Sequence, residues 1–240
     1  MKFYQSKLLN KHVNLTHAFT CKESKNLAFH VNDIYTDVVQ NHKQLAKELN
    51  YNYETLVHMK QIHSNIVKKV GVNDNFFHPP TCDALITNKK NTPLMVMVAD
   101  CSPLLFFDPK QNVISVAHAG RAGAFSNIVH CVVQSFVQDF ASNPNDILVS
   151  VGPAICQNCY EVNETIYNEV KELDLEYAIK KKNKKYYLDI KKILYNQLHV
   201  TGIEEKNIET SPICNCCQSE IFYSYRQNKN TGRYAGLLML

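Results

Sequence analysis

Apolar side chains recur at helical spacing in several stretches of the chain, and these stretches alternate with short apolar runs. The spacing predicts four helices, at residues 33–50, 124–140, 161–173 and 189–199. In the first helix, Ile34, Val38 and Leu45 fall on one face, and Asp33 stands where a capping residue would. Asp189 lies near the start of the last helix. An apolar stripe of this kind gives a helix one face to bury.

The apolar runs between the helices are short and mostly continuous. They lie at residues 94–98, 104–107, 113–117, 147–151, 221–225 and 235–240. Continuous apolar strands are typical of sheets that are buried on both faces, with helices outside. The first three runs are too close in sequence for crossover helices, so we expect antiparallel neighbours there and a mixed sheet. The pattern predicts a single α+β layered domain over residues 1–240, and not a doubly wound one.

Composition narrows the class of protein and its compartment. A hydrophobic content of 45% and a charged content of 20% are those of an ordinary globular protein. No apolar run approaches the roughly 20 residues that cross a bilayer, and residues 1–20 lack the apolar core of a secretory signal. The nine cysteines are an odd number, which favours reduced thiols in a reducing compartment. We therefore expect a cytoplasmic protein with no membrane partner.

The charge pattern gives no support for a nucleic-acid partner. The net charge is only +4, and much of the positive charge lies in the run KKKNKK at residues 180–185. Such a run is most often a solvated loop. The chain has no zinc finger, no aromatic RNA-binding motif and no helix-turn-helix spacing, so we expect it not to bind nucleic acid.

Polar residues follow the predicted strands at the points where the strands end. Asp100 and Cys101 follow the run LMVMVA, and His118 follows VISVA. His63 lies beside the strand-like run IVKKV. Two imidazoles and one thiolate are the ligand set of an open zinc site, which leaves a fourth position for water or substrate. The small residues of AGRAG after His118 would allow close approach of the backbone.

The remaining cysteines offer a competing metal site. Cys156 and Cys159 form one CxxC pair, and Cys214 and Cys217 form another, with Cys216 between them. Two CxxC pairs are typical of a zinc ribbon. A ribbon brackets a short segment, however, and here residues 160–213 with two predicted helices separate the pairs. We therefore expect these four cysteines not to form a metal site.

Taken in order, many segments of the chain match one family. They are HAFT with NLAFHVND (17–33), QIHS (61–64), CDALIT (82–87), ADCSPLLFFDP (99–109), VAHAGRAG (116–123), VGPAICQNCYEV (151–162), YLDI (187–190), CNCC with FYSYR (214–226) and TGRYAGLLML (231–240). This set resembles the bacterial YfiH-like proteins, also called laccase-domain or multicopper polyphenol oxidase-like proteins. The resemblance implies an α/β/β/α sandwich. It also implies zinc binding through the motifs Q-x-H, A-D-C and H-x-G, whose ligands are His63, Cys101 and His118 here.

Two positions depart from the family pattern. The family commonly has Trp-Arg after H-x-G, where this chain has Arg121 and Ala122. The positive charge is kept but stands one position earlier. Among the paired cysteines, Cys156 falls where the family usually has another residue, whereas the other three fall at cysteine positions of the family.

The resemblance also implies an activity. Members of the family are described as purine nucleoside phosphorylases that also cleave methylthioadenosine and deaminate adenosine. The expected partners are therefore small molecules, a nucleoside such as adenosine or inosine, and phosphate. The candidate catalytic residues are His63, Cys101, His118 and Asp100, whose carboxylate would orient an imidazole or carry a proton. The candidate substrate ligands are Gln61 and the phosphate-gripping guanidinium groups of Arg121, Arg226 and Arg233.

Three alternatives stay open beside this activity. Copper-dependent phenol oxidation through a trinuclear cluster needs many His-x-His pairs, and the ten histidines here are isolated. Two histidines and a cysteine are still a blue-copper ligand set, so Cu²⁺ is an alternative to Zn²⁺. An amidase that edits peptidoglycan precursors would use Cys101 as nucleophile, with His63 or His118 as base. A zinc-stabilised binding protein would use the extra cysteines.

Overall fold

Two β-sheets lie face to face in the computed structural model, which describes residues 2–240, and helices cover the outer face of each sheet. The strands are β1 Phe3–Tyr4, β2 Thr16–Thr20, β3 Val67–Lys69, β4 Ala84–Thr87, β5 Leu94–Val98, β6 Ser102–Asp108, β7 Val113–Ala119, β8 Leu148–Val151, β9 Glu161–Val162, β10 Ile179–Lys182, β11 Lys185–Leu188, β12 Ile208–Thr210 and β13 Tyr234–Met239. The α-helices are α1 Tyr35–Leu49, α2 Arg121–Phe125, α3 Ile128–Phe140, α4 Glu164–Glu172 and α5 Ile190–Val200. Short 3₁₀ turns lie at Leu9–Lys11, Lys22–Ser24, Tyr53–Thr55, Pro144–Asp146, Gln157–Cys159, Glu176–Ala178 and Glu205–Asn207.

The two large sheets differ in size and in strand direction. One has the order β1-β2-β13-β5 and is antiparallel throughout. The other has the order β12-β8-β6-β7-β4-β3, in which the outer pairs β12–β8 and β3–β4 are parallel and the inner pairs antiparallel. Phe19, Leu105 and Val116 belong to the apolar core between the sheets. The predicted mixed sheet is confirmed, and its four inner strands, β8, β6, β7 and β4, are buried on both faces.

The helices complete the layers. Leu45 of α1 packs with Met95 and Leu237 on the outer face of the four-stranded sheet. On the outer face of the six-stranded sheet, Val132 of α3 and Ile193 of α5 belong to another apolar core. A third, small sheet has the order β10-β11-β9. The α+β class and the α/β/β/α sandwich are therefore confirmed.

The helix boundaries follow polar caps more closely than the apolar pattern. The segment predicted as one helix at 124–140 is two helices, because Asn127 adopts a left-handed backbone and its side chain accepts the N–H of His130. Asn163 likewise caps α4, so that helix begins at residue 164 and not at 161. Asp189, near the predicted start of the last helix, caps α5 by accepting the N–H of Lys192. Asp33 lies one residue too early to cap α1, and its carboxylate accepts the N–H of Ile34 and the side-chain amide of Asn26.

Two strand predictions are wrong in part. Strand β5 does not pair with β6, although only Ala99–Cys101 separates them, and pairs with β13 in the other sheet. Asp100 has a φ of 85° in this link, where the chain passes from one sheet to the other. The run at 221–225 is not a strand, because the N–H groups of Ile221 and Phe222 both bond to the carbonyl of Gln218 in a turn. Among residues 2–240, no helix is both long and apolar enough to cross a membrane.

Candidate metal centre and active-site cavity

The structure brings together the three predicted metal ligands. The ligand atoms of His63, Cys101 and His118 all lie within 4.8 Å of one another. The two imidazole rings meet edge to face, with 4.8 Å between their centroids. His118 is buried, Cys101 is half-buried and His63 is exposed. One side of the cluster is therefore open, as a catalytic metal site requires.

Strand ends and one tight turn place the three ligands. Cys101 directly precedes β6, and His118 lies near the end of the neighbouring strand β7, opposite Pro103. His63 lies in the loop before β3 and has a left-handed backbone, with a φ of 61°. Gly120 leaves room for the thiol, because a Cβ atom there would lie 2.6 Å from Cys101 Sγ. The close backbone approach expected at AGRAG therefore occurs at this glycine.

A buried carboxylate, Asp83, supports the cluster from behind. It lies just before β4, is fully buried, and accepts the Nδ1 proton of His118 over 2.8 Å. It also accepts the N–H groups of Ile62, His63 and Ser64, and the hydroxyl of Ser64. The bond to Nδ1 leaves Nε2 of His118 free for a metal. Our sequence analysis missed Asp83, whose only signal was an acidic residue immediately before an apolar strand.

Asp100 does not have the orienting role that we predicted for it. Its carboxylate accepts the side chains of Asn215 and Ser224, and the backbone N–H of Arg226. It therefore ties the link between the sheets to the loop before β13. The imidazole contact expected of Asp100 is made by Asp83, because the strand pairing of β4 with β7 sets Asp83 beside His118.

The three central groups shift one another's proton affinities. Burial alone would raise the pKa of the Asp83 carboxyl, but its hydrogen bonds with His118 and Ser64 outweigh burial and lower that pKa to about 2. Burial would likewise raise the pKa of the Cys101 thiol, yet the two imidazoles lower it to about 6. Burial opposes a charge on His118, but the Cys101 thiolate and Asp83 raise its pKa to about 9. Cys101 is therefore ready as a thiolate at neutral pH, the form that binds metal.

A cavity of about 600 Å³ opens beside the cluster. Its lining includes the three ligands, Asp100 and Gln61, together with Ile155, Tyr160 and Tyr225. The arginines at 121, 226 and 233, which are all the arginines of the chain, line it as well. A cavity of this size fits a drug-sized ligand. Its lining is partly apolar and partly cationic, which suits an aromatic molecule together with an anion.

The three arginines are held in different ways. Arg121 forms an ion pair with Glu169, at 2.6 Å. The guanidinium group of Arg226 donates to the carbonyl of Glu161 and lies 5.2 Å from the Tyr160 ring centre. Arg233 donates to the carbonyls of Thr231 and Gly232. Among residues 2–240, Arg226 and Arg233 thus have no carboxylate partner within ion-pair distance, although Arg233 interacts electrostatically with Cys101 and Asp100.

Gln61 is bound to the edge of a strand. Its side-chain amide donates to the carbonyl of Met97 at 2.8 Å, and its oxygen accepts the N–H of the same residue at 2.9 Å. This pair of bonds fixes the His63 loop against the end of β5. Gln61 lines the cavity from that position, and its role as a substrate ligand stays a prediction.

The structure brings the two cysteine pairs together, although we expected these four cysteines not to form a metal site. The Sγ atoms of Cys156, Cys159, Cys214 and Cys217 all lie within 4.8 Å of one another. The separation in sequence does not keep the pairs apart, because β8 and β12 are parallel neighbours and each cysteine pair follows one of these strands. The intervening segment leaves after Cys159 and returns through β12, so that both pairs reach the same edge of the sheet.

The fold and the central cluster together define a class of protein. An open set of two imidazoles and a thiolate beside a substrate-sized cavity is the arrangement of an enzyme and not of a structural metal module. The chain belongs to the family described as multi-copper polyphenol oxidoreductase laccase, whose model matches residues 15–240.

Relatives of the chain are named for one activity. The purine nucleoside phosphorylase YlmD of Bacillus subtilis is 33% identical over 222 residues, which cover 88% of this chain and 80% of that protein. The purine nucleoside phosphorylase SCO2081 of Streptomyces coelicolor is 32% identical over 218 residues, with 91% and 88% covered. The crystal structure of the hypothetical protein YfiH of Bacillus licheniformis superposes with a TM-score of 0.91 at 27% identity, over 100% of this chain and 96% of that one. The chain is thus an enzyme of the purine nucleoside phosphorylase-like family.

Proposed function

We propose that this chain is a zinc-containing purine nucleoside phosphorylase that cleaves adenosine, inosine and methylthioadenosine with phosphate. One observation carries the proposal. Every arginine of the chain lines the cavity that holds His63, Cys101 and His118, and no lysine does. Guanidinium groups bind phosphate at two points, so the cavity offers phosphate a site beside an open metal centre. The names of the relatives point to the same reaction.

The residues of the cavity have different roles in the proposed reaction. Arg226 and Arg233, which form no ion pair with a carboxylate in the described part of the chain, would bind phosphate and orient it towards the anomeric carbon of the nucleoside. The rings of Tyr160 and Tyr225 would hold the purine. Asp83 keeps Nδ1 of His118 occupied, so that the imidazole presents only its other nitrogen. Phosphate attacks as the purine leaves, and the positive charges of the cavity offset the negative charge of the incoming phosphate.

The ligand set fits zinc. Two imidazole nitrogens and a thiolate around an open position are typical of catalytic zinc, and the clearance at Gly120 keeps the Cys101 sulfur accessible. Zinc held there would supply Lewis acidity, which stabilises a leaving group and lowers the pKa of a water. We propose adenosine deamination as a second activity of the same open position. Copper is the alternative metal, since a blue-copper site uses the same residue types.

A trinuclear copper cluster has no support among the described residues. Within residues 2–240, the one group of neighbouring metal-ligating side chains that includes histidine contains two histidines. A trinuclear copper cluster needs many more histidines. Metal analysis of protein purified without added metal should find zinc at this site, and a blue-copper absorption band would support the oxidase instead.

One arrangement favours a second candidate, the amidase. Cys101, His118 and Asp83 form a chain of thiol, imidazole and carboxylate, in which Asp83 orients the imidazole and the imidazoles lower the pKa of the thiol. This is the order of groups in a cysteine nucleophile activated by a base. In the absence of metal, the Cys101 thiolate would attack the carbonyl carbon of an amide bond in a peptidoglycan precursor, His118 would give a proton to the amine as the C–N bond breaks, and water would then hydrolyse the thioester.

Product analysis by chromatography separates these functions. We expect inosine to give hypoxanthine and ribose 1-phosphate in equal amounts, and only when phosphate is present. Arg226→Gln and Arg233→Gln should each raise the KM for phosphate by about tenfold or more, because a charged hydrogen bond is lost. Lys192→Gln removes an exposed charge outside the cavity and should change nothing. Cleavage of a muramyl-peptide precursor without any hypoxanthine would establish the amidase in place of the phosphorylase.

We also infer that the enzyme works in the cytoplasm on small molecules, a nucleoside and phosphate. Among residues 2–240, the Cys101 ligand and the four paired cysteines form no disulfide. Free thiols persist in a reducing compartment. Fractionation of cells that express the tagged chain tests the location, and recovery from an oxidising compartment with its cysteines paired would contradict it.

A further inference from the structure

Four cysteines outside the cavity have the spacing of ligands around a single ion. The Sγ atoms of Cys159 and Cys217 are 3.3 Å apart, and those of Cys156 and Cys217 are 4.0 Å apart. With Cys214 included, all four lie within 4.8 Å of one another. Around a tetrahedral zinc with Zn–S bonds of about 2.3 Å, sulfur atoms are about 3.8 Å apart. The observed distances lie on both sides of that value, and all four thiols are free.

The surroundings of Cys214 suit a thiolate. The backbone N–H groups of Cys156 and Cys217 both donate to Cys214 Sγ, over 3.2 and 3.4 Å. A neutral thiol is a weak acceptor, so two such donors are better matched to a thiolate. The ammonium group of Lys191 is fixed by the carbonyls of Ser211 and Ile213 and interacts electrostatically with Cys214. A positive charge at this place offsets the negative charge of four sulfur ligands.

We propose that Cys156, Cys159, Cys214 and Cys217 bind a second zinc ion in a closed structural site. Four cysteine ligands fill the tetrahedron and leave no position for substrate. The ion joins the loop after β8, which carries Cys156 and Cys159, to the loop after β12, which carries Cys214 and Cys217. Residues 160–213 separate the two cysteine pairs in sequence. Cys156, which stands where the family usually has another residue, supplies the fourth thiol of the set.

The second zinc would fix one wall of the cavity. Ile155, next to Cys156, lines the cavity and donates its N–H to the carbonyl of Asp100 at 3.0 Å. Asn215, inside the second CxxC pair, donates to the carboxylate of the same aspartate at 2.8 Å. Tyr160 follows Cys159 and also lines the cavity. The zinc site therefore fixes the position of residues that line the cavity. Its existence does not depend on the function proposed above.

Zinc counting on protein purified anaerobically with a thiol reductant tests the proposal. We expect about two zinc ions in each wild-type chain and about one in His63→Ala, which keeps all four cysteines. In the His63→Ala background, Cys217→Ala should lose the remaining zinc. Cys217→His should keep it, because three cysteines and a histidine also form a structural zinc site. Cys131→Ala on α3 is the matched control and should keep the zinc.

Cobalt gives a readout that needs no cysteine variant. The His63→Ala chain loaded with Co²⁺ should have the intense d–d absorption of a tetrahedral four-thiolate site. The proposal is overturned if this chain binds no metal, if it holds iron after purification, or if Cys159 and Cys217 form a disulfide under reducing conditions. Two zinc ions in a wild-type chain that releases no hypoxanthine would support the second site and contradict only the proposed function.

Discussion

The carboxylate of Asp83 organises a site whose ligands come from distant parts of the chain. The ligands themselves can be predicted, because imidazole and thiolate are common zinc ligands and each lies near an apolar run, which Cys101 and His118 follow and His63 precedes. Asp83 has no such signal in the sequence. Its partners come beside it only through the pairing of β4 with β7 and the fold of the His63 loop. For the same reason, the sequence led us to assign its role to Asp100.

We expect Asp83→Asn to weaken zinc binding by about 10–100-fold, the usual effect of losing a carboxylate behind a metal ligand. The asparagine amide has the same shape, but its NH₂ group replaces one of the two carboxylate oxygens that accept hydrogen bonds. The N–H of Ser64 or Nδ1 of His118 therefore loses its acceptor. Competition with a chromophoric chelator measures the change in affinity.

Asp108→Asn is the matched control for that variant. Asp108 is also fully buried, but it lies at the other end of β6 and accepts the N–H groups of Lys110 and Gln111. We expect its replacement to leave zinc affinity unchanged. Equal losses of zinc affinity in the two variants would mean that the effect comes from general destabilisation.

At the scale of elements, the local pattern predicts which segments form helices or strands, and tertiary contacts decide how they pair. The segment 94–98 is predicted to the residue as β5, yet its partner is β13 and not the strand that follows it in sequence. Sequence distance also failed for the cysteine pairs, which parallel pairing of β8 and β12 brings together. Caps are local features, and Asp189, near the predicted start of the last helix, does cap α5.

The break between α2 and α3 gives a test at this scale. Asn127 adopts a left-handed backbone, with a φ of 57°, and its side chain accepts the N–H of His130 at 3.3 Å. Asn127→Ala should lower the free energy of unfolding by about 2 kcal/mol, because it loses the cap and strains the backbone. Asn127→Gly relieves the strain and should cost about half as much. Urea denaturation measures both, and a more stable Ala variant would contradict this role of Asn127.

At the scale of the whole molecule, the two ligand clusters serve one cavity. Cys101 and the two histidines line it directly, and the four cysteines hold the loops that carry Ile155 and Tyr160. The three arginines add positive charge to the same space. In the sequence, these residues appear only as separate motifs. The folded sandwich brings residues 61–63, 100–121 and 226–233 to one place.

Buried histidines should make the whole molecule sensitive to acid. Burial is the main cause that lowers the pKa of His42, to about 4, against 6.5 in the unfolded chain. Below pH 6.5 the unfolded chain therefore takes up a proton that the folded protein does not bind until about pH 4. The free energy of unfolding should fall over this range by up to about 3 kcal/mol.

His42→Gln separates this contribution from the others. The variant loses packing against Phe29 and is less stable than the wild type at pH 7, but its deficit should shrink as the pH falls towards 4. His130→Gln, at an exposed histidine, should leave the pH dependence unchanged. Urea denaturation at several pH values measures the difference, and a deficit that is constant with pH would contradict the assignment.

The most direct test of the account is hypoxanthine release from inosine at saturating phosphate, measured for wild type, Cys101→Ala and Cys131→Ala. We predict phosphate-dependent release by the wild type and by Cys131→Ala, whose cysteine lies outside both clusters. Cys101→Ala should lose more than the roughly 10²–10³-fold that one hydrogen-bond donor is worth, because it removes a ligand of the central metal site. Full activity in Cys101→Ala, or ribose in place of ribose 1-phosphate as the wild-type product, would contradict the account.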